Sequence, residues 1–229
     1  MAKRGKLIVI DGTDGSGKTT QINLLTKKLK TDGFKVKTIH FPHYENFVGG
    51  FIGHCLTEQY YNFINVHPKI VSVLFAADRW ESSEEIKKYL DQGFMVVLDR
   101  YVSANQIHQG GKISNTKKRE AFIKWLNEME YEVFKIPRPD ITLYLSLPIN
   151  LVETLIKKRN DVSVRKYSGN KKDVYEVDLN FQKNSIKSAL WLAKTQKGWV
   201  KIDCAKNGVL DTRENIHREV YEKVKKVLK

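Results

Sequence analysis

The chain has 229 residues, 41% hydrophobic and 29% charged, which suits one compact domain, or one domain with a small lid, and excludes a disordered chain or a disulfide-stapled miniprotein. No apolar run approaches the roughly 20 residues that span a bilayer, and the two cysteines, Cys55 and Cys204, fit no metal spacing and no disulfide framework. The net charge of +14 favours polyanionic partners, although lysine pairs such as Lys27-Lys28 and Lys87-Lys88 also read as solvated helix faces.

Short, apolar, β-branched runs alternate with longer helical stretches. Leu7–Ile10 is the first run, and Thr19–Lys30 after it places Ile22, Leu25 and Leu29 on one helical stripe. Val36–Phe41 is a second strand. Pro68–Leu90 reads as one helix, opened by proline and ended before Asp91-Gln92-Gly93. Phe94–Leu98 is a third strand, Lys117–Phe134 a helix, Ile141–Leu147 a fourth strand and Asn150–Arg159 a helix. The stretch at about 160–172 is polar, basic and without periodicity; it reads as a solvated loop or as a mobile cationic lid. Tyr175–Lys194, Trp199–Ile202 and Arg213–Leu228 follow as helix, strand and helix. Near-continuous apolar strands indicate burial on both faces. Their alternation with helices predicts an α/β fold over residues 1–229, a five-stranded parallel sheet flanked by helices on both faces.

The strongest chemical signal is Gly12-Thr13-Asp14-Gly15-Ser16-Gly17-Lys18-Thr19, which matches G-x-x-x-x-G-K-[ST]. The glycines let the backbone approach phosphate oxygens, and a helix starting near Gly17 offers unpaired N–H groups and a positive dipole end. The expected ATP-binding residues are Gly12, Asp14, Gly15, Ser16, Gly17, Lys18, Thr19 and Thr20. Lys18 would reach the β- and γ-phosphates, and the Thr19 hydroxyl would bind Mg²⁺. The motif follows a strand and opens an amphipathic helix, the setting a P-loop requires. Val96-Val97-Leu98-Asp99 resembles a Walker B strand, which places Asp99 beside the same Mg²⁺.

Four further segments narrow the chemistry. They are Phe41-Pro42-His43-Tyr44, then Leu74-Phe75-Ala76-Ala77-Asp78-Arg79-Trp80, then Asp99-Arg100-Tyr101 with Asn105 and His108-Gln109-Gly110, and last Tyr175-Glu176-Val177-Asp178-Leu179. Together with the P-loop and in this order, they resemble the thymidylate kinase family of nucleoside monophosphate kinases. The resemblance implies that Phe75 stacks on thymine and that Arg79 donates to a thymine carbonyl. It also implies that Asp14 hydrogen-bonds the sugar 3′-OH or contacts the metal region. Asn105 suits the base edge, and Gln109 lies near the same pocket. Arg100, with its planar fork, suits the acceptor phosphate, with Tyr44 as a second contact. Phe41 and Pro42 would wall the sugar and base, and Asp178 would close over the acceptor. A homodimer is implied by the resemblance alone.

The expected reaction is phosphorylation of dTMP to dTDP by ATP–Mg²⁺, with in-line attack by a phosphate oxygen that needs no strong general base. Lys18, Arg100, Asp14 and a lid cation form the expected catalytic set. Gly15 stands where some relatives carry a P-loop arginine, so the lid must supply that charge: Arg165 first, then Lys166 and Arg159. Three departures bear on this reading. Ser103-Ala104 reverses the commoner order, His108 takes the place of a tyrosine that helps reject a ribose 2′-OH, and the lid is lysine-rich. One rival is a kinase for another deoxynucleotide or a deoxynucleoside, with Asp11 or Glu45 as base. A second is a nucleotide-dependent, nucleic-acid-associated protein, motivated by the charge but lacking any recognisable nucleic-acid motif. The apolar run after the basic start, Leu7 to Ile10, is shorter than the roughly 7–15 residues of a signal-peptide core, so a cytoplasmic location with no membrane partner is expected.

Overall fold

The computed structural model describes residues 4–13, 15–160, 175 and 178–228, the side chains of 155–160 excepted. Five strands form one parallel sheet in the order β2-β3-β1-β4-β5: β1 (Leu7–Gly12), β2 (Val36–His40), β3 (Met95–Asp99), β4 (Ile141–Ser146) and β5 (Trp199–Asp203). Each matches an expected strand within two residues. The register sets Ile10 opposite Asp99 on one side and Leu143 on the other. The ends of β1 and β3, which carry Asp11, Gly12 and Asp99, therefore lie side by side, where ligands sit in open α/β sheets.

Alternate residues of the central strands feed two separate cores, which is why their sequences are apolar almost throughout. Leu7, Val9, Val96, Leu98 and Tyr144 pack beneath α4 (Ser83–Asp91), α5 (Val102–Gly111), α6 (Thr116–Asn127) and α8 (Leu179–Thr195). Ile8, Ile10, Val97, Leu143 and Leu145 pack against α1 (Lys18–Thr31), α7 (Ile149–Asn160) and α9 (Arg213–Leu228). A third cluster, with Ile52, Leu56, Phe63, Val71, Phe75 and Phe181, joins α2 (Phe47–Leu56) and α3 (Pro68–Glu81) to α8.

Four features depart from the expected elements. The long helix over 68–90 is two, α3 and α4, broken at Ser82. The helix over 117–134 ends at Asn127 and continues as a π-helical turn, Glu128–Val133, which carries Glu130 into the core at 0% exposure. α2 and α5 are helices with no counterpart among the expected elements. In α2, Gly49, Gly50 and Gly53 lower helix propensity, yet a Cβ at Gly49 would lie 2.0 Å from the His43 carbonyl oxygen. α5 is buried along nearly its whole length, polar residues included, so no apolar stripe marks it. A small antiparallel hairpin, β6 (Ala205–Lys206) and β7 (Val209–Leu210), lies between β5 and α9.

Candidate active site

The turn between β1 and α1 is built for a close anionic guest. A Cβ at Gly12 would meet Ser16 Oγ at 2.5 Å and the Leu145 carbonyl oxygen at 2.9 Å. Gly15 and Gly17 have φ of 79° and 85°, a region that side chains disfavour. Gly17 caps α1 without a side-chain hydrogen bond, and the first turn holds no acid, so its N–H groups keep their positive end. Lys18 Nζ donates to the Gly12 and Thr13 carbonyls at 3.0 and 3.2 Å. The buried hydroxyls of Thr13 and Ser16 have no partner among the described residues. Unsatisfied donors around a lysine are what phosphate oxygens complete.

Lys18 and Thr19 open onto a cavity of about 190 Å³. It is also lined by Phe41, Pro42, Tyr44, Phe75, Arg79, Asn105 and Gln109, and by Asp99 and Arg100. Nearly all the expected acceptor contacts thus share one space with the P-loop lysine. Asp178 does not: its carboxylate accepts from Phe181 N at 2.8 Å and caps α8, beside a different surface groove. Its place there reflects the need of the first turn of α8 for an acceptor. Asp14, Arg165 and Lys166 lie outside the described residues, as does the expected lid beyond Asn160, and the side chain of Arg159 is likewise not described.

Asp99 Oδ1 is buried without a hydrogen-bond partner among the described residues. With the Thr19 hydroxyl on the same cavity, it offers the hard oxygen donors that suit Mg²⁺ held mainly by phosphates and water. Asp11, by contrast, is closed off. It is fully buried and accepts from Gly12 N at 2.8 Å and Ser103 Oγ at 2.6 Å. Burial raises its pKa, opposed by Arg100, Ser103 and Lys18. The reversed Ser103-Ala104 pair therefore has a structural consequence: the hydroxyl binds Asp11, and Ala104 lines the cavity.

Arg100 sits at φ 65°, left-handed backbone that a non-glycine residue adopts at a cost. Its N–H is fixed on the Ile10 carbonyl at 3.1 Å. Nη1 meets His108 Nε2 at 2.9 Å. Arginine only donates, so Nε2 accepts and the histidine proton belongs on Nδ1, which faces Ser185 Oγ at 3.0 Å. The His108 ring stacks on Phe181 at 5.6 Å and Tyr175 at 5.9 Å. It anchors the Arg100 guanidinium at the cavity.

Elsewhere on the cavity lining, Phe75 packs edge-on to Phe63 at 5.9 Å. Arg79 makes a bidentate pair with Glu130, Nε to Oε2 at 2.6 Å and Nη2 to Oε1 at 2.7 Å. Burial opposes its charge, and the Glu130 charge and hydrogen bonds, with Asp78, outweigh that and raise its pKa. Asn105 Nδ2 donates to the Ser72 carbonyl at 3.1 Å and to Glu130 at 3.3 Å. Gln109 Nε2 donates to the Tyr175 hydroxyl at 2.8 Å, and its Oε1 is buried without a partner among the described residues. The neighbouring Asp78 receives the His43 N–H on both oxygens at 3.2 Å, which holds the turn before Tyr44. Burial pushes its carboxyl up to about 6.

Sequence reasoning missed Glu130 and the cavity contacts of His40 and Leu56. For Glu130 a signal existed: Phe122, Ile123 and Leu126 form the buried stripe of α6, and an acid four residues after Leu126 continues that stripe.

A protein-family model described as thymidylate kinase matches residues 10–216. The thymidylate kinase of Plasmodium falciparum is 29% identical over 227 residues, covering 98% of this chain and 92% of that one. That of Prochlorococcus marinus strain NATL2A is 30% identical over 230 residues, covering 99% of each. A solved thymidylate kinase structure from Candida albicans superposes with a TM-score of 0.73 at 27% identity, over 97% of this chain and 92% of that one.

Proposed function

The chain belongs to the thymidylate kinase family, and from that premise we propose that it phosphorylates dTMP to dTDP with ATP–Mg²⁺ in dTTP synthesis. The observation that carries this reading is the single cavity in which Lys18 and Thr19 share space with Arg100, Phe75, Arg79 and Asn105. A P-loop alone would bind the donor. This cavity adds a phosphate clamp, an aromatic face and a polar base edge.

In the reaction, an oxygen of the dTMP phosphate attacks the γ-phosphorus of ATP in line. The bond from that phosphorus to the β,γ-bridging oxygen breaks, and ADP leaves. The nucleophile is already anionic, so the residues need only position and neutralise. Lys18 and the α1 N-terminus hold the donor phosphates. Arg100, kept in place by His108, and Tyr44 hold the acceptor phosphate. Phe75 stacks on the base, and Phe41 and Pro42 wall it. Thr19 and Asp99 would hold Mg²⁺, which supplies charge neutralisation on the donor phosphates when bound. Arg165, with Lys166 and Arg159 behind it, is proposed as the lid cation and Asp14 as the contact to the sugar or metal region, in keeping with the family pattern.

A coupled ADP-release assay with dTMP, dUMP, ribo-TMP, dCMP, dGMP and thymidine tests the reading. Turnover chiefly with dTMP supports it. Strong turnover with thymidine and none with dTMP would reject the Arg100 and Tyr44 roles. A nucleoside kinase needs a base for the 5′-OH, and neither residue named for it qualifies. Asp11 is sealed by Ser103, and Glu45 is exposed outside the cavity.

A homodimer is proposed through the outer face of α3. Ile70, Val73 and Trp80 are exposed there, at 58%, 40% and 57%, with Phe47 of α2 at 88%. Exposed apolar side chains grouped on neighbouring helices are a feature of association surfaces. A cytoplasmic location is proposed as well; among the described residues, no helix is long and apolar enough to cross a membrane.

A further inference from the structure

We propose that Glu130 is a positioning residue that sets the hydrogen-bonding polarity of the base pocket, and so selects thymine over cytosine. The proposal rests on the dTMP reading of the cavity and extends it to a residue outside the five recognised segments.

Glu130 is the hub of a buried network. One carboxylate oxygen takes Arg79 Nε, and the other takes both Arg79 Nη2 and Asn105 Nδ2. All three residues are 2% exposed or less. Glu130 sits in the π-helical turn Glu128–Val133, in line with the buried stripe of α6, and is fully buried. An ionised carboxylate only accepts hydrogen bonds. Each neighbour must therefore turn a donor toward it, and that choice fixes what each presents to the cavity.

For Arg79, Nε and Nη2 are taken, and the two N–H groups of Nη1 remain. For Asn105, Nδ2 lies between two acceptors, the Ser72 carbonyl and Glu130. A flipped amide would set its oxygen against both. The amide is thus locked with Nδ2 inward, and Oδ1 has no protein partner among the described residues. Arg79 and Asn105 both line the cavity. The wall presents one donor and one acceptor, Arg79 Nη1–H and Asn105 Oδ1. Thymine and uracil carry the complement, an O4 acceptor beside an N3–H donor. Cytosine carries the reverse, an N4 amino donor beside an N3 acceptor, and would leave buried polar groups unpaired.

The test compares native protein with Glu130→Gln and Glu130→Asp, reading kcat and KM for dTMP, dUMP and dCMP, with thermal melts to establish folding. Glutamine brings a donor into a hub built from donors, so Arg79 loses one contact or Asn105 turns over. In Glu130→Gln, the ratio of kcat/KM for dTMP over dCMP should fall about tenfold or more. The change should come through KM for dTMP rather than kcat, because the phosphate contacts are untouched. Glu130→Asp keeps two acceptor oxygens and should keep the preference for dTMP. If Glu130→Gln does not fold, side-chain ¹⁵N–¹H resonances of the native protein decide. Asn105 Nδ2 and Arg79 Nε protons should be protected from exchange and stay so when dTMP is added. Free exchange of the Asn105 amide would overturn the proposal. So would a folded Glu130→Gln enzyme with the native dTMP-to-dCMP ratio, while the dTMP reading stood. A native enzyme with no preference for dTMP over dCMP would sink both.

Discussion

Lys18 and Asp78 show how differently two charged groups near one cavity behave. Lys18 is held by the Gly12 and Thr13 carbonyls, and a donor-phosphate contact is proposed for it. Lys18→Ala should lower kcat by about 10²–10³-fold, the scale seen when a preorganised donor to a transition-state oxyanion is lost, with a smaller change in KM for dTMP. Initial-rate kinetics with saturating ATP would check this, and a change confined to KM for dTMP would reject the role. Asp78 is buried with no countercharge bonded to it among the described residues, and its carboxyl is pushed up to about 6 from an ordinary 3.8. Between those pH values the folded chain holds a proton that the unfolded chain has released. Its stabilising contribution is therefore full below about pH 4 and lost as pH rises through 6. The loss should reach roughly 3 kcal/mol, at about 1.36 kcal/mol for each pH unit between the two values. Urea titrations at pH 4, 5, 6 and 7 should show native protein losing that much more stability than Asp78→Asn. Parallel curves would sink the assignment.

At the level of elements, helix ends and helix breaks do the positioning. The break at Ser82 lets α3 present Phe75 and Arg79 to the cavity while α4 turns back onto the sheet. α8 brings Phe181 and Ser185 against His108, and its first turn depends on Asp178. Asp178→Ala should cost about 0.5–2 kcal/mol of stability, the range for a lost N-cap, and leave KM for dTMP within about twofold. A large rise in KM without a stability change would restore the acceptor-closing role that the sequence resemblance implied. Loop segments 41–44 and helix α2 are similarly coupled, since Gly49 leaves room for the His43 carbonyl and Asp78.

For the whole molecule, the excess of positive charge and the apolar face on α3 make separate predictions. Light scattering after size exclusion should give twice the chain mass for native protein, and Trp80→Glu should shift it toward the monomer. A monomeric native protein at micromolar concentration would reject the interface. The +14 charge makes weak DNA retention at low salt no sign of a nucleic-acid function, since nonspecific attraction disappears as salt rises.

The sheet and the phosphate cradle were legible in the sequence because both are local. Strands buried on two faces must be apolar throughout, and the turn from Gly12 to Lys18 needs glycines wherever chain and anion approach closely. α2 and α5 were not legible, because glycines weaken the helix signal of α2 and the buried polar residues of α5 bond partners on other elements, such as Asp11, Ser72 and Ser185. Arg79 could be named from its segment. The pairing with Glu130 could not, because the two residues lie 51 positions apart on separate elements that only packing brings together. Asp178 shows the converse: a residue in a recognisable segment whose place as a helix cap only the packed chain displays. By itself the sequence determined the sheet, the P-loop and the family. The tertiary structure alone decided how Arg79, Glu130 and Asn105 pair, because that depends on how buried polar groups from separate elements satisfy one another.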